Sequence, residues 1–157
     1  MDFQLSQKET MLLKDAKEQE ELCVKKYQSF ASQAKDSELK NLLNSIASQE
    51  QQHLNTINDL LSGKTPSQSG NSSSQGSQTQ SQGTSSSSIR FSNPDDATLL
   101  TDLLSTEKYV SGFYDTSIFE SANKVVRDSL QHIQKEEQTH GEQLFNYMNQ
   151  HGMYNVK

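Results

Sequence analysis

The chain repeats itself. Residues of its first half recur 87 positions later without a gap, as Glu20 does at Glu107. In that one register Leu12 and Leu13 fall on Leu99 and Leu100, Asp15 on Asp102, Tyr27 on Tyr114, Lys40 on Arg127, Leu43 on Leu130, Ile46 on Ile133, Glu50 on Glu137 and His53 on His140. Such repetition marks two copies of one supersecondary unit. Between the copies, residues 62–88 are Ser, Gln, Gly and Thr with almost nothing apolar. A segment of that composition cannot bury enough surface to offset its ordering entropy and is expected to be disordered. The expected organisation is a helical hairpin over residues 1–61, a disordered linker over 62–92 and a second hairpin over 93–157, the two hairpins forming one domain.

Within each copy the apolar residues follow a helical period. Leu39, Leu43, Ile46, Ile57 and Leu60 are spaced as the inward stripe of a helix packed in a bundle. Four helices are predicted, over about residues 7–34, 37–61, 94–121 and 124–150. Asp36 and Asn123 are placed to cap the second and fourth helices. Asn93-Pro94-Asp95-Asp96 supplies a capping Asn, a Pro for the first helical position and acids for the positive helix end. Gly152 is placed to end the fourth helix. Two helical hairpins make an all-α four-helix bundle. A flexible linker of this length reaches about 30 Å, which is also about the length of a 20-residue helix. The linker can therefore cross the bundle from end to end, which is the ferritin-like connection. A dimer with hairpins swapped between chains is also reachable.

The stripes carry a chemical anomaly. In the second helix Glu50 and His53 occupy places where leucines belong, and in the fourth Glu137 and His140 do the same. The first helix presents Leu13, Ala16, Glu20, Cys23, Tyr27 and Phe30, and the third presents Leu100, Leu103, Glu107, Val110 and Tyr114. Glu20 and Glu50 are equally far from the first turn, and Glu107 and Glu137 from the second, so the four glutamates are expected at one height. Four ionised carboxylates in an apolar interior are strongly unfavourable without partners. The stripes contain no Lys or Arg to supply them. Two divalent cations balance four negative charges, and carboxylate with imidazole suits iron, manganese or zinc. One glutamate from each of two helices plus Glu-x-x-His from each of the other two is the carboxylate di-metal pattern. The expected ligands are Glu20, Glu50, His53, Glu107, Glu137 and His140, holding two iron or manganese ions. The alternative is a narrow or wetted core with protonated carboxylates.

Other residues admit two readings each. Cys23 is a small core residue or a ligand, and its repeat partner Val110 favours the former. Tyr27 and Tyr114 are core aromatics or groups for electron or proton transfer. Asp15 and Asp102 are exposed acids or hold the ligand histidines from behind. His132 and His151 lie off the stripes and are expected in solvent. Gly112 sits in a helix interior, where it costs about 1 kcal/mol relative to Ala.

The totals exclude several classes. A net charge of −6 argues against a nucleic-acid partner. Cys23, the single cysteine, rules out an internal disulfide. No apolar run approaches the roughly 20 residues of a membrane-spanning helix, and the first residues show no signal-like apolar core. These features predict a protein made in the cytoplasm with no membrane partner.

Residues 99–154 resemble the coat F family of bacterial spore coat proteins. The resemblance lies in "LLTDLLSTEKY", in "RDSLQHI" and in the ending "LFNYMNQHGMY", where Gly152-Met153-Tyr154 stands for the family's frequent Gly-Trp-Tyr. It implies a ferritin-like helical fold, a place in the spore coat after synthesis in the mother-cell cytoplasm, and other coat proteins as partners. It implies no known reaction. Two functions follow: a structural coat component with a metal-competent core, or a di-iron or di-manganese oxidoreductase acting on peroxide or oxygen. A homodimer is open in either case.

Overall fold

The computed structural model describes residues 3–67 and 95–156. Four α-helices account for most of them: α1 (Gln7–Gln33), α2 (Ser37–Leu61), α3 (Asp96–Glu120) and α4 (Lys124–Gln150). Among the described residues there is no strand. The predicted α2 and α4 agree with the structure at both ends. Asp36 caps α2 by accepting the Glu38 N–H, and Asn123 caps α4 by accepting the Val125 N–H. Ser6 and Glu9 close a reciprocal capping box at the start of α1, a Ser-x-x-Glu signal visible in the sequence.

The start of α3 differs from expectation. Asp95, not Asn93, is the cap, because its carboxylate reaches the Thr98 N–H at 2.7 Å. Asn93 and Pro94 lie outside the described residues, as do residues 68–92 of the expected disordered linker. The near end of that segment belongs instead to the first hairpin. Gly63 turns α2 off in the left-handed conformation (φ 73°), its N–H bonding the Leu60 carbonyl. The Gly63 carbonyl then accepts the Phe3 N–H at 3.0 Å, which ties the segment before α1 to the end of α2. A Cβ at Gly63 would stand 2.8 Å from the Phe3 carbonyl oxygen. Gly63→Ala is therefore expected to cost about 1–3 kcal/mol. Gly112 is the contrast: a Cβ there meets nothing within 4 Å, so Gly112→Ala should stabilise by about 0.5–1 kcal/mol. Urea denaturation of the two variants measures both signs.

The helices form a ring in which each lies antiparallel to both neighbours. α1 packs on α2 and α3, and α4 packs on α2 and α3. α2 ends beside the start of α1, through Phe3 and Gly63. α3 begins at the opposite end, where Asp96 accepts the backbone N–H groups of Lys35 and Asp36 in the α1–α2 turn. The connection between α2 and α3 thus joins opposite ends of the bundle.

The same contact recurs at the other end. Glu9 accepts the Asn123 N–H at 2.7 Å while also accepting the Ser6 N–H at 2.8 Å. Glu9 and Asp96 are repeat-related, and so are Asn123 and Asp36. An acid in the first turn of each hairpin's leading helix thus fastens the cap of the other hairpin's second helix. Each carboxylate answers an orphan N–H at a positive helix end.

Every expected stripe residue is buried. The apolar ones fall into two clusters. One surrounds Phe30, Leu39, Leu43, Leu99 and Leu103. The other surrounds Leu13, Ile57, Leu60, Leu130 and Ile133. Between the Phe30 and Leu13 levels of α1 lies Glu20, and with it the polar layer.

Candidate metal centre

Glu20, Glu50, His53, Glu107, Glu137 and His140 are all buried, none more than 3% exposed. The structure brings all six together in two overlapping groups. Glu20, Glu50, His53 and Glu137 form one, and Glu50, Glu107, Glu137 and His140 form the other. Within each group one donor atom per residue lies within 4.8 Å of the rest. Glu50 and Glu137 belong to both groups, so they sit between the two histidines. His53 Nδ1 stands 3.1 Å from Glu50 Oε2 and 3.0 Å from Glu137 Oε1. His140 Nδ1 stands 3.2 Å from Glu50 Oε1 and 3.6 Å from Glu137 Oε2. The imidazole rings stack at 5.6 Å.

Two tyrosines cross between hairpins onto this layer. Tyr27 of α1 donates its hydroxyl to Glu107 Oε1 of α3, and Tyr114 of α3 donates to Glu20 Oε1 of α1. The phenols are more than core aromatics: each fixes one oxygen of a glutamate in the opposite hairpin. Burial, with the adjacent glutamate, pushes both phenol pKa values up, so both remain donors.

What is left over is informative. Glu20 Oε2, Glu50 Oε1, Glu107 Oε2, Glu137 Oε2 and His140 Nδ1 are buried and have no hydrogen-bond partner. The 3.2 Å approach of His140 Nδ1 to Glu50 Oε1 is an ion-pair distance with misaligned geometry, so both atoms remain unsatisfied. Buried polar atoms are normally paired. Here every glutamate contributes one unanswered oxygen to a single layer. Carboxylate oxygens with imidazole nitrogens are a donor set that fits a divalent ion such as iron or manganese.

Electrostatics agree with that fit. Burial pushes the carboxyls of Glu20 and Glu107 up, Glu107 to about 8. Burial also acts on Glu50 and Glu137, but the two close histidines and a neighbouring carboxyl outweigh it and hold both below the usual carboxylate range. Burial opposes charge on the histidines, yet the surrounding glutamates raise both, His140 to about 11. Without metal the layer therefore favours protons on the histidines and on the Glu20 and Glu107 carboxyls, and carboxylates at Glu50 and Glu137.

The outer ring nitrogens have partners that the sequence did not single out. His53 Nε2 meets Glu136 Oε2 at 2.6 Å, and His140 Nε2 meets Gln49 Oε1 at 2.7 Å. Asp15 and Asp102 do not hold the histidines. Asp15 is exposed, and Asp102 pairs with Lys26 at 2.9 Å. The signal for Gln49 and Glu136 was their place beside each stripe glutamate. It is easily missed because each serves the histidine of the facing helix. Cys23 is buried core, joins neither ligand group, and its thiol is pushed up by burial. His132 and His151 are exposed, as expected.

Two shallow surface grooves lie elsewhere, one along Asp95–Ser105 and one between α1 and α3 beside Leu22 and Tyr109. None of the six residues lines either. Among the described residues no helix is long and apolar enough to cross a membrane.

Comparison with known proteins bears on the second hairpin and on the fold. Residues 95–157 match the Coat F domain, which covers the second hairpin and agrees with the resemblance read over 99–154. None of the curated proteins matches the chain. Among solved structures, a two-domain protein from Anabaena variabilis containing DJ-1/ThiJ/PfpI-like and ferritin-like domains aligns with a TM-score of 0.71 at 16% identity. The alignment takes in 98% of this chain and 40% of that one. The fold is thus a ferritin-like four-helix bundle. The first hairpin, outside the Coat F match, is joined to it by the repeat and by the packing described above.

Proposed function

We propose that this Coat F domain protein is a spore coat component whose bundle core holds two divalent ions, iron or manganese. The observation that carries the metal reading is the set of unanswered oxygens, one from each of four buried glutamates in one layer. Glu20 and Glu107 each keep one oxygen on a tyrosine and would offer the other to an ion, as terminal or bridging ligands. Glu50 and Glu137, shared by both groups, would serve both ions. His53 and His140 would each give Nδ1 to one ion. Iron or manganese bound there supplies one-electron chemistry toward peroxide or oxygen.

The protein's part is positioning and proton traffic. Tyr27 and Tyr114 hold Glu107 and Glu20 at fixed rotation. The imidazoles and the Glu20 and Glu107 carboxyls are the groups that would release protons as ions bind. The two apolar clusters above and below keep bulk water from the layer. A second reading, a di-metal oxidoreductase acting on peroxide or oxygen, is favoured by the closed core. Neither of the two grooves described is lined by these residues, and all six are buried, so a diatomic or similarly small substrate suits the site better than a large organic one. The coat role and the enzymatic role are compatible. The coat assignment carries with it synthesis in the mother cell and contact with other coat proteins.

Elemental mass spectrometry of the purified chain tests the core reading. Two ions per wild-type chain are expected, and none in Glu50→Ala/Glu137→Ala, which removes both bridging groups. A wild-type chain that stays metal-free after anaerobic reconstitution with Fe(II) or Mn(II) sinks it. Peroxide and oxygen consumption by the loaded protein then tests the second reading, and immunogold labelling of spore sections tests the coat location.

A further inference from the structure

We propose that the two metal positions are unequal, and that Glu136 makes the position built on His53 the tighter one. The inference rests on the di-metal reading above and adds an order to it. The ligands themselves repeat without change: Glu20 with Glu107, Glu50 with Glu137, His53 with His140. So do the tyrosines that brace them. The partners of the histidines break the repeat. Glu136 stands where its copy has Gln49.

The two contacts are alike in geometry and unlike in charge. His53 Nε2 faces a carboxylate oxygen at 2.6 Å, and His140 Nε2 faces an amide oxygen at 2.7 Å. With Nε2–H donated outward, each ring presents Nδ1 inward. An amide fixes tautomer and orientation. A carboxylate does both and also polarises the ring toward imidazolate, which strengthens Nδ1 as a donor. It adds a negative charge beside one half of the layer only. The Glu136 side chain is 41% exposed and has His132 Nε2 at 3.4 Å, so solvent weakens that charge without removing it. Cys23, which also breaks the repeat against Val110, joins neither ligand group. Replacing a group that supports a ligand histidine typically changes metal affinity by about 10–100-fold.

Bridging glutamates couple the sites, so two binding steps in the wild type would not by themselves locate the asymmetry. Single-site backgrounds do. Mn(II) affinity is measured on the full chain by competition with a fluorescent chelator, with helicity checked by circular dichroism. His140→Ala leaves the His53 position, and His53→Ala leaves the His140 position. The first is expected to bind Mn(II) about 10–100-fold more tightly than the second. Adding Glu136→Gln should erase that advantage in the His140→Ala background and leave the His53→Ala background unchanged. Adding Gln49→Glu should tighten the His53→Ala background. Equal affinities in the two single-site variants overturn the inference while leaving the di-metal reading intact. Equal weakening of both backgrounds by Glu136→Gln overturns it as well. Absence of Mn(II) binding by the wild-type chain removes the di-metal reading, and this inference with it.

Discussion

Loading the wild-type chain with Mn(II) is expected to raise its melting temperature steeply, and more so at higher pH. A ligand that binds only the folded state adds about 4 kcal/mol per site at a free concentration a thousandfold above its dissociation constant. Two such sites in a domain of this size correspond to a shift on the order of 20 °C. The pH dependence follows from the metal-free layer. Protonated His140, raised to about 11, stabilises the fold fully below the ordinary histidine pKa, and this is lost as pH rises through about 11. The Glu107 carboxyl, raised to about 8, contributes below the ordinary glutamate pKa and loses its contribution as pH rises through about 8. Both make the metal-free protein weaker between pH 6.5 and 9. Glu50 and Glu137 are held low; their contribution is lost only as pH falls, so they add no slope in that window. Ions replace the same protons, so the loaded protein should be nearly flat there. Differential scanning fluorimetry with Mn(II) or with chelator, at pH 6.5 and 9, should show the gap widening. A constant gap would contradict the exchange of protons for ions, and Glu50→Ala/Glu137→Ala should show no gap at either pH.

Phe30→Ala is expected to be the most damaging single truncation of the apolar core. Phe30 is fully buried in the cluster that closes the layer on the side of the α1–α2 turn. Truncation of a buried Phe costs about 3–5 kcal/mol through lost transfer energy and the residual cavity. That is a large share of a total near 5–15 kcal/mol. Phe119 is the control, because it is 85% exposed: Phe119→Ala should stay within about 0.5 kcal/mol. Guanidinium unfolding of both variants in chelator separates core packing from metal effects. A loss below about 1 kcal/mol at Phe30 would mean that the cluster refills around the gap.

The repeat made most of this legible. A single Glu-x-x-His is weak evidence, but two copies 87 residues apart, Glu50 with His53 and Glu137 with His140, pointed to the bundle and to one buried Glu and His layer together. Periodicity could assign every stripe residue to the interior because the polar and apolar members share one 3.6-residue phase. It could not distinguish Tyr27 as packing from Tyr27 as a donor to Glu107. That depends on which helix stands opposite, a relation between hairpins that spacing within one helix does not encode. Gln49 and Glu136 were hidden for the same reason. Asp95 was missed as a cap because Asn93-Pro94 offered a competing start two residues earlier, and only the reach to the Thr98 N–H decides between them.

The reciprocal fastening of the hairpins also bears on how the protein comes apart. Glu9 and Asp96 lock the caps of α4 and α2 at opposite ends, and Tyr27 and Tyr114 lock the middle. Each of these contacts runs from one hairpin to the other. Neither hairpin can fray from its own tip without releasing a contact held by its partner. Amide protons deep in all four helices should therefore exchange with solvent through one global opening, at a common rate, instead of in a graded sequence from the termini inward. Native-state hydrogen exchange would then find a single cooperative unit, in which losing either half dismantles the whole Glu and His layer at once.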